Sequence, residues 1–126
     1  MTITNDTTKN KMAQLAFDDS SGIATITLAM EGKVNKINDD FGVTLQDALA
    51  WAKGKNGLRG IILASGHKDF CVGADIDRLY RERDPQTMLA RLKELDALYR
   101  GLETAGVPVV AALTGSALGG GYELAL

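Results

Sequence analysis

The chain has 126 residues, of which 45% are hydrophobic and 24% are charged, and its formal net charge is -2. These values are typical of one globular domain or part of one, and the lack of a basic excess argues against nucleic acid as a partner. No apolar run approaches ~18 residues, so the sequence predicts no membrane span. The single cysteine, Cys71, excludes an internal disulfide and fits a reducing compartment such as the cytoplasm.

The N-terminal third predicts a short lead-in, a hairpin and a helix. Residues 1–11 are polar, lack the apolar core of a secretory signal, and predict a disordered lead-in to one domain over residues 12–126. Partly alternating runs at residues 12–17 and 23–28 flank a polar turn and predict a β-hairpin. Asn38, followed by two aspartates, predicts a helix N-terminus. The predicted buried stripe of this helix is Phe41, Leu45, Ala48, Leu49 and Ala52.

Further elements follow in alternation. Gly54 predicts a left-handed cap of that helix, and residues 58–64 predict a second apolar strand, so that strand, helix and strand form a βαβ-type crossover. Asp84 and Pro85 predict the start of another helix. Its apolar stripe, which spacing assigns to the core, is Met88, Leu89, Leu92, Leu95, Tyr99 and Leu102.

The last stretch combines a strand, glycines and a helix start. The apolar run at residues 109–113 predicts a buried strand, three glycines at 119–121 follow, and a helix is predicted from Tyr122. Glycines here allow a ligand to approach the backbone and leave amides unpaired. The phosphate-loop pattern fails because Gly121 and Tyr122 replace its lysine and hydroxyl, and Leu124 replaces the last glycine of the dinucleotide pattern.

Glu123 indicates which ligand would suit these amides. Its side chain is predicted to project back over the Gly120 N–H, where a carboxylate would repel a dianion. It would suit a neutral carbonyl whose oxygen becomes negative during reaction. A flexible glycine hinge before a core helix with an exposed acid explains the spacing equally well, and spacing alone leaves both interpretations open.

Residues 72–76 show the same order of a strand, a glycine-bearing loop and a helix N-terminus. Gly73 permits an unusual backbone angle, after which the Ala74 N–H can point outward, although Asp75 also reads as a simple helix cap. Two such amides, if they converge, form an oxyanion hole. His67 and Cys71 do not predict a metal site, because the sequence holds no other His or Cys to complete one.

Two segments resemble the signatures of a known family. Residues 70–76, Phe-Cys-Val-Gly-Ala-Asp-Ile, resemble the first signature of the crotonase (enoyl-CoA hydratase/isomerase) superfamily, and residues 107–115 with 119–125 resemble the second. Their order and separation match as well. Residues 34–38 resemble the hydratase part of multifunctional fatty-acid oxidation proteins, some of which carry a 3-hydroxyacyl-CoA dehydrogenase domain. The resemblance implies an α/β fold, the N-terminal portion of the crotonase-like ββα spiral, over residues 12–126.

The resemblance also implies a site and a reaction. It places the oxyanion hole at the backbone N–H groups of Ala74 and Gly120, and a catalytic carboxylate at Glu123. The CoA-binding positions that it implies are Val72, Ala74, Asp75, Ile76 and Gly120. The implied activity is hydration of a 2-enoyl-CoA in fatty-acid β-oxidation, with the acyl-CoA thioester as substrate, no required cofactor and no metal. Alternatives are an isomerase, a hydrolase, or a non-catalytic acyl-CoA-binding or assembly fragment.

The C-terminal end predicts an incomplete domain. The last predicted helix has only begun at Leu126 and shows no stop signal. In the family, a second catalytic glutamate and the C-terminal helical region that completes the pocket and the trimer contacts lie beyond this point. The expectation is that the isolated chain is inactive, and that the parent protein is a trimer-based homo-oligomer or part of a β-oxidation complex.

Overall fold

The structure is a computed structural model that describes residues 3–5 and 12–126. In these residues the chain forms one sheet with helices packed beside it. The strands are β1 (Ile3–Asn5), β2 (Ala13–Asp18), β3 (Ile23–Leu28), β4 (Gly60–Ser65) and β5 (Val109–Ala111). The helices are α1 (Asp39–Lys53), α2 (Ile76–Arg81), α3 (Pro85–Glu103) and α4 (Gly120–Ala125).

The prediction of a disordered lead-in over residues 1–11 can be compared with the structure only in part. Most of residues 1–11 lie outside the described residues. Residues 3–5 form β1, which pairs antiparallel with β2, so this part is a strand at the edge of the sheet where a disordered segment was expected.

The sheet has the strand order β1-β2-β3-β4-β5. β2 and β3 pair antiparallel, which confirms the predicted hairpin, and β3, β4 and β5 are parallel neighbours. Because α1 connects β3 to β4, the predicted strand, helix and strand unit is confirmed as well. Alternate residues of β2 and β3 are buried, since one face of these strands covers the core.

Helix α1 supplies the other side of the core. The Asn38 side chain accepts a hydrogen bond from the Phe41 N–H and caps the helix, and all five residues of the predicted stripe are buried. The prediction of a left-handed cap at Gly54 is wrong, because Gly54 has φ -78° and its N–H donates a hydrogen bond to the carbonyl of Ala50. The chain continues in a tight turn, and the positive φ occurs at Gly57.

The segment between β3 and α1 is fixed by one buried amide side chain. Asn35 is fully buried; its Oδ1 accepts from the Met30 N–H at 3.1 Å. Its Nδ2 donates to Ser65 Oγ at 2.9 Å and to the carbonyl of Phe70 at 3.0 Å. Asn35 therefore ties the end of β4 and the segment after it to the segment that precedes α1.

Two elements predicted to be buried are buried only in part. Asp84 and Pro85 begin α3 as predicted, but Leu102 is the buried residue of its stripe, while Leu89 and Leu92 are about half exposed. The reason is that α3 packs on the core near its C-terminal end. Strand β5 lies at the edge of the described sheet, and its Val110 is 59% exposed. None of the described helices combines the length and the apolar character that crossing a membrane requires.

Candidate active site

Two glycine-bearing segments lie side by side, one after β4 and one after β5. The N–H groups of Phe70 and Cys71 donate to the carbonyl of Ser116, and the Leu118 N–H donates to the carbonyl of Cys71 at 3.0 Å. Cys71 and Ala117 form a parallel bridge. The two segments therefore run parallel, in a register that continues toward Ala74 in one and residue 120 in the other.

Close backbone packing extends this register to the site. A Cβ on Gly73 would lie 2.7 Å from the carbonyl O of Leu118 and 3.7 Å from Gly119 Cα, so only glycine fits there without a shift. The residues that follow these two glycines are Ala74 and Gly120, the two predicted amide donors. The structure thus brings the predicted site segments together.

The Ala74 N–H faces the second segment. In a regular strand, successive backbone N–H groups point to opposite sides, and Gly73 reverses this order. Ile37 bonds to both neighbours of Ala74: its N–H donates to the carbonyl of Gly73, and its carbonyl accepts from the N–H of Asp75. In a parallel bridge of this kind the amide of the middle residue points the other way. Gly73, with φ +88°, makes this orientation possible.

The other amide belongs to the first residue of α4. The structure begins this helix at Gly120, two residues before the predicted start, after Gly119 with φ +53°. The Gly121 and Tyr122 N–H groups bond to carbonyls of residues 118 and 119. Across the described residues, no hydrogen bond is donated by the N–H of Gly120 or of Ala74, so both amides are open to a ligand.

Gly121 sets how closely α4 approaches the first segment. A Cβ there would lie 2.3 Å from the carbonyl O of Cys71 and 2.8 Å from its Cβ. Cys71 is fully buried, and burial raises the pKa of its thiol, so it packs as a small apolar residue. The three glycines therefore have distinct roles: Gly119 makes the turn, Gly120 carries the open amide, and Gly121 allows α4 to pack closely.

Glu123 lies on the first turn of α4 with its side chain exposed. Its Oε2 is 3.8 Å from the position that a Gly120 Cβ would occupy. Within the described part of the chain its carboxylate makes no hydrogen bond or ion pair with a side chain, which leaves it available to a water molecule or a substrate. The carboxylate therefore lies near Gly120, and its placement over the Gly120 N–H stays a prediction.

Tyr99 is a site residue that the sequence reasoning missed. Its Oη donates to the carbonyl O of Gly120 at 2.7 Å. Burial raises the pKa of Tyr99, and the neighbouring Cys71 and Glu123 raise it further. Helical spacing had placed Tyr99 only in an apolar stripe, since nothing in the sequence shows that its hydroxyl reaches α4 from 21 residues away.

The remaining predicted CoA-binding positions lie around Ala74. The Val72 N–H is engaged with the carbonyl of Asn35, and the Ile76 side chain is 78% exposed. Asp75 precedes α2, but its side chain makes no capping bond; it pairs with Lys36 Nζ at 3.2 Å. The hydrogen bond from Lys36 lowers the pKa of Asp75.

An apolar cleft opens beside Ala74, between α1 and α3. Its volume is about 710 Å³, and Ile37 and Ala74 lie at its wall. Residues of the α3 stripe line it, including Leu92 and Leu95. Sequence spacing could identify the stripe as apolar but could not show that it faces a cleft. His67 lies apart from this wall, with Nε2 2.7 Å from the carbonyl of Met30, and no cluster suited to a metal ion occurs among the residues that the structure describes.

Comparison with solved structures identifies the fold. The chain superposes on an enoyl-CoA hydratase from Shewanella pealeana with a TM-score of 0.82 and 23% identity, covering 92% of this chain and 44% of that one. An enoyl-CoA hydratase from Thermoplasma volcanium gives a TM-score of 0.79 at 28% identity, with 90% and 44% covered. The fold is therefore the part of the crotonase fold that the resemblance implied.

Sequence comparison identifies the family. The sequence model of the enoyl-CoA hydratase/isomerase family matches residues 18–126. The fatty acid oxidation complex subunit alpha of Shewanella loihica is 38% identical over 108 residues, which are 84% of this chain and 15% of that protein. That of Shewanella halifaxensis is 37% identical over 107 residues, with 83% and 15% covered. The chain belongs to the enoyl-CoA hydratase/isomerase family, and it spans about 15% of the length of these curated relatives.

Proposed function

We propose that the protein carrying this sequence is an enoyl-CoA hydratase, which adds water across the 2,3 double bond of a 2-enoyl-CoA. The observation that carries the proposal is the pair of unpaired amides at Ala74 and Gly120, on adjacent parallel segments, with the carboxylate of Glu123 beside them. This arrangement offers donors for a developing negative charge and a group that can move a proton.

Each of the three groups has a distinct task in the proposed reaction. The N–H groups of Ala74 and Gly120 bind the thioester carbonyl oxygen and stabilise it as it becomes an enolate oxygen. Removal of one such donor typically costs about 3 kcal/mol of transition-state stabilisation. Glu123 positions the water that attacks C3 and takes its proton, a contribution of roughly 10²–10⁴ in rate. The chemistry requires no cofactor or metal beyond the acyl-CoA substrate.

The surroundings of Ala74 support an acyl-CoA as the substrate. The segment around Val72, Ala74 and Ile76 is proposed to meet the pantetheine and adenine of CoA, with Asp75 held nearby by Lys36. The cleft between α1 and α3 begins at Ala74 and is lined largely by apolar side chains, as an acyl chain requires.

The proposed context is fatty-acid β-oxidation in the cytoplasm. Two relatives described above are alpha subunits of a fatty acid oxidation complex, and the two similar solved structures are enoyl-CoA hydratases. We therefore propose that the hydratase assembles as a trimer-based oligomer or within such a complex, whose partner activity is a 3-hydroxyacyl-CoA dehydrogenase. Isomerase or hydrolase activity, or binding of acyl-CoA without turnover, are the competing outcomes of the test.

The test follows the loss of conjugated enoyl-thioester absorbance when crotonyl-CoA is added to the full-length protein that carries this sequence. Glu123→Gln keeps the size of the side chain and removes its basicity, so kcat should fall at least about 100-fold. Glu103→Gln is the matched control, because Glu103 is exposed at the end of α3 and pairs with Arg100. It should leave kcat unchanged.

The outcomes separate the candidate functions. Hydration that survives Glu123→Gln at the wild-type rate contradicts the role of Glu123. Double-bond migration or free CoA without 3-hydroxyacyl product indicates isomerase or hydrolase activity. Binding of crotonyl-CoA without any product indicates a binding module. The 126-residue chain alone is proposed to be inactive, and turnover by it would contradict that.

A further inference from the structure

A single hydrogen bond links α3 to the first turn of α4, where the proposed site lies. Tyr99 Oη donates to the carbonyl O of Gly120 at 2.7 Å. Tyr99 lies on the part of α3 that is anchored to the core, next to Leu98 and close to the buried Leu102. The link therefore joins a fixed part of the molecule to the residue that carries an open amide.

Gly120, Tyr99 and Glu123 meet at one point. The position that a Gly120 Cβ would occupy is 3.6 Å from Tyr99 Oη and 3.8 Å from Glu123 Oε2. The terminal methyl of Ile37 also reaches this position. A displacement of the first turn of α4 would therefore move the Gly120 N–H and the Glu123 carboxylate together.

Backbone hydrogen bonds and close backbone packing hold most of this turn. α4 has six residues, and Gly121 and Leu124 are its buried residues. Leu124 supplies the apolar side-chain anchor near the end of the helix. The beginning of the helix depends on backbone bonds, on the packing of the Gly121 backbone against Cys71, and on the hydroxyl of Tyr99. The hydroxyl is thus placed where loss of one bond changes geometry more than overall stability.

The chemistry of Tyr99 favours positioning over proton transfer. Burial and then the neighbouring Cys71 and Glu123 raise the pKa of Tyr99, so the hydroxyl stays protonated and neutral. Its one proton is committed to the carbonyl of Gly120. It cannot donate the same proton to a substrate without giving up that bond.

We propose that Tyr99 is a positioning residue for the hydration reaction: its hydroxyl fixes the first turn of α4, so that the Gly120 amide stays aligned with the Ala74 amide and the Glu123 carboxylate stays beside them. This inference rests on the proposed function. It assigns Tyr99 a role in the alignment of the site, with no contact to the substrate.

The test compares Tyr99→Phe with Tyr80→Phe, both made in the full-length protein that carries this sequence. Both variants lose one hydroxyl and keep the ring, and Tyr80 is 74% exposed on α2, outside the site. In Tyr99→Phe, kcat for crotonyl-CoA hydration should fall about 3- to 10-fold while KM stays within about twofold, as expected for loss of one hydrogen bond that matters most in the transition state. Tyr80→Phe should match the wild type.

Two readouts do not depend on turnover. Butyryl-CoA cannot be hydrated, and the infrared carbonyl stretch of its bound thioester reports how strongly the two amides polarise it. Tyr99→Phe should reduce the shift of this band while the affinity for butyryl-CoA is kept. Hydrogen exchange should become faster over residues 119–126 only, which also distinguishes local loosening from failure to fold.

The outcomes are distinguishable. Wild-type kcat, carbonyl shift and exchange in Tyr99→Phe would overturn the role of Tyr99 and leave the proposed function intact. A loss of kcat that follows global unfolding, with the carbonyl shift unchanged in the folded fraction, would also overturn it. If the wild-type protein neither shifts the carbonyl band nor hydrates crotonyl-CoA, the proposed function fails, and the role of Tyr99 fails with it.

Discussion

Gly121→Ala tests the close approach of α4 to the segment after β4. Gly121 lies inside a helix with an ordinary φ, so by helix propensity alone alanine should stabilise the protein by up to about 1 kcal/mol. The added Cβ would however lie 2.3 Å from the carbonyl O of Cys71, about 1 Å short of ordinary contact. Backbone atoms cannot turn aside as a flexible side chain can, so α4 must move.

The expected sign is therefore the opposite of the propensity effect. Overpacking of this kind costs about 1–3 kcal/mol or more, and we expect a net loss of about 2 kcal/mol in the free energy of unfolding. The melting temperature should fall by roughly 5–10 °C. If the site is as proposed, hydration of crotonyl-CoA should fall further than stability requires, because the Gly120 amide moves with the helix.

Gly42→Ala is the matched control. Gly42 also lies in a helix, α1, but a Cβ there meets nothing within 4 Å. This variant should be neutral or up to about 1 kcal/mol more stable. Denaturant unfolding of both variants tests this prediction. The packing argument would be refuted if Gly121→Ala were as stable as the wild type while Gly42→Ala behaved as expected.

Two more predictions concern groups that the tertiary structure pairs. Asn35→Leu removes the hydrogen-bond partner of several buried backbone groups. It should lower the free energy of unfolding, measured in denaturant, by about 3 kcal/mol. A loss below about 1 kcal/mol would contradict the role of Asn35. Asp75 has a lowered pKa because of Lys36, so its stabilising effect should be present above the pKa of the unfolded chain, about 3.9, and be lost as pH falls through the lower folded value. NMR titration should show this pKa rise in Lys36→Met, and an unchanged pKa there would exclude Lys36 as the cause.

Helix caps and the period of apolar residues could be predicted from the sequence, because both depend on residues a few positions apart. The caps at Asn38 and Asp84 lie where predicted, because a side chain that accepts a nearby backbone N–H acts over two or three residues. The buried stripe of α1 was predicted because its period follows from helix geometry. The α3 stripe has the same period, but its Leu89 and Leu92 are about half exposed. The period of a helix shows which residues share a face and does not show what covers that face.

Hydrogen-bonding partners that are distant in sequence could not be predicted in this way. Asp75 has the sequence position of a cap, yet its partner is Lys36, because folding brings the segment before α1 alongside residues 71–75. Tyr99 has the sequence signature of a core residue, yet its hydroxyl bonds to Gly120. Such pairings depend on how whole elements are placed relative to one another.

The sequence by itself determined which short segments can carry chemistry: a glycine with an amide after it at 73–74, and a glycine run with a carboxylate at 119–123. Backbone freedom is a local property of glycine, so a linear pattern can reveal it. The tertiary structure alone decided that the two segments run parallel and adjacent, with both amides unpaired. The physical reason is that this register arises from hydrogen bonds between residues more than forty positions apart, which form only once the parallel sheet has been assembled.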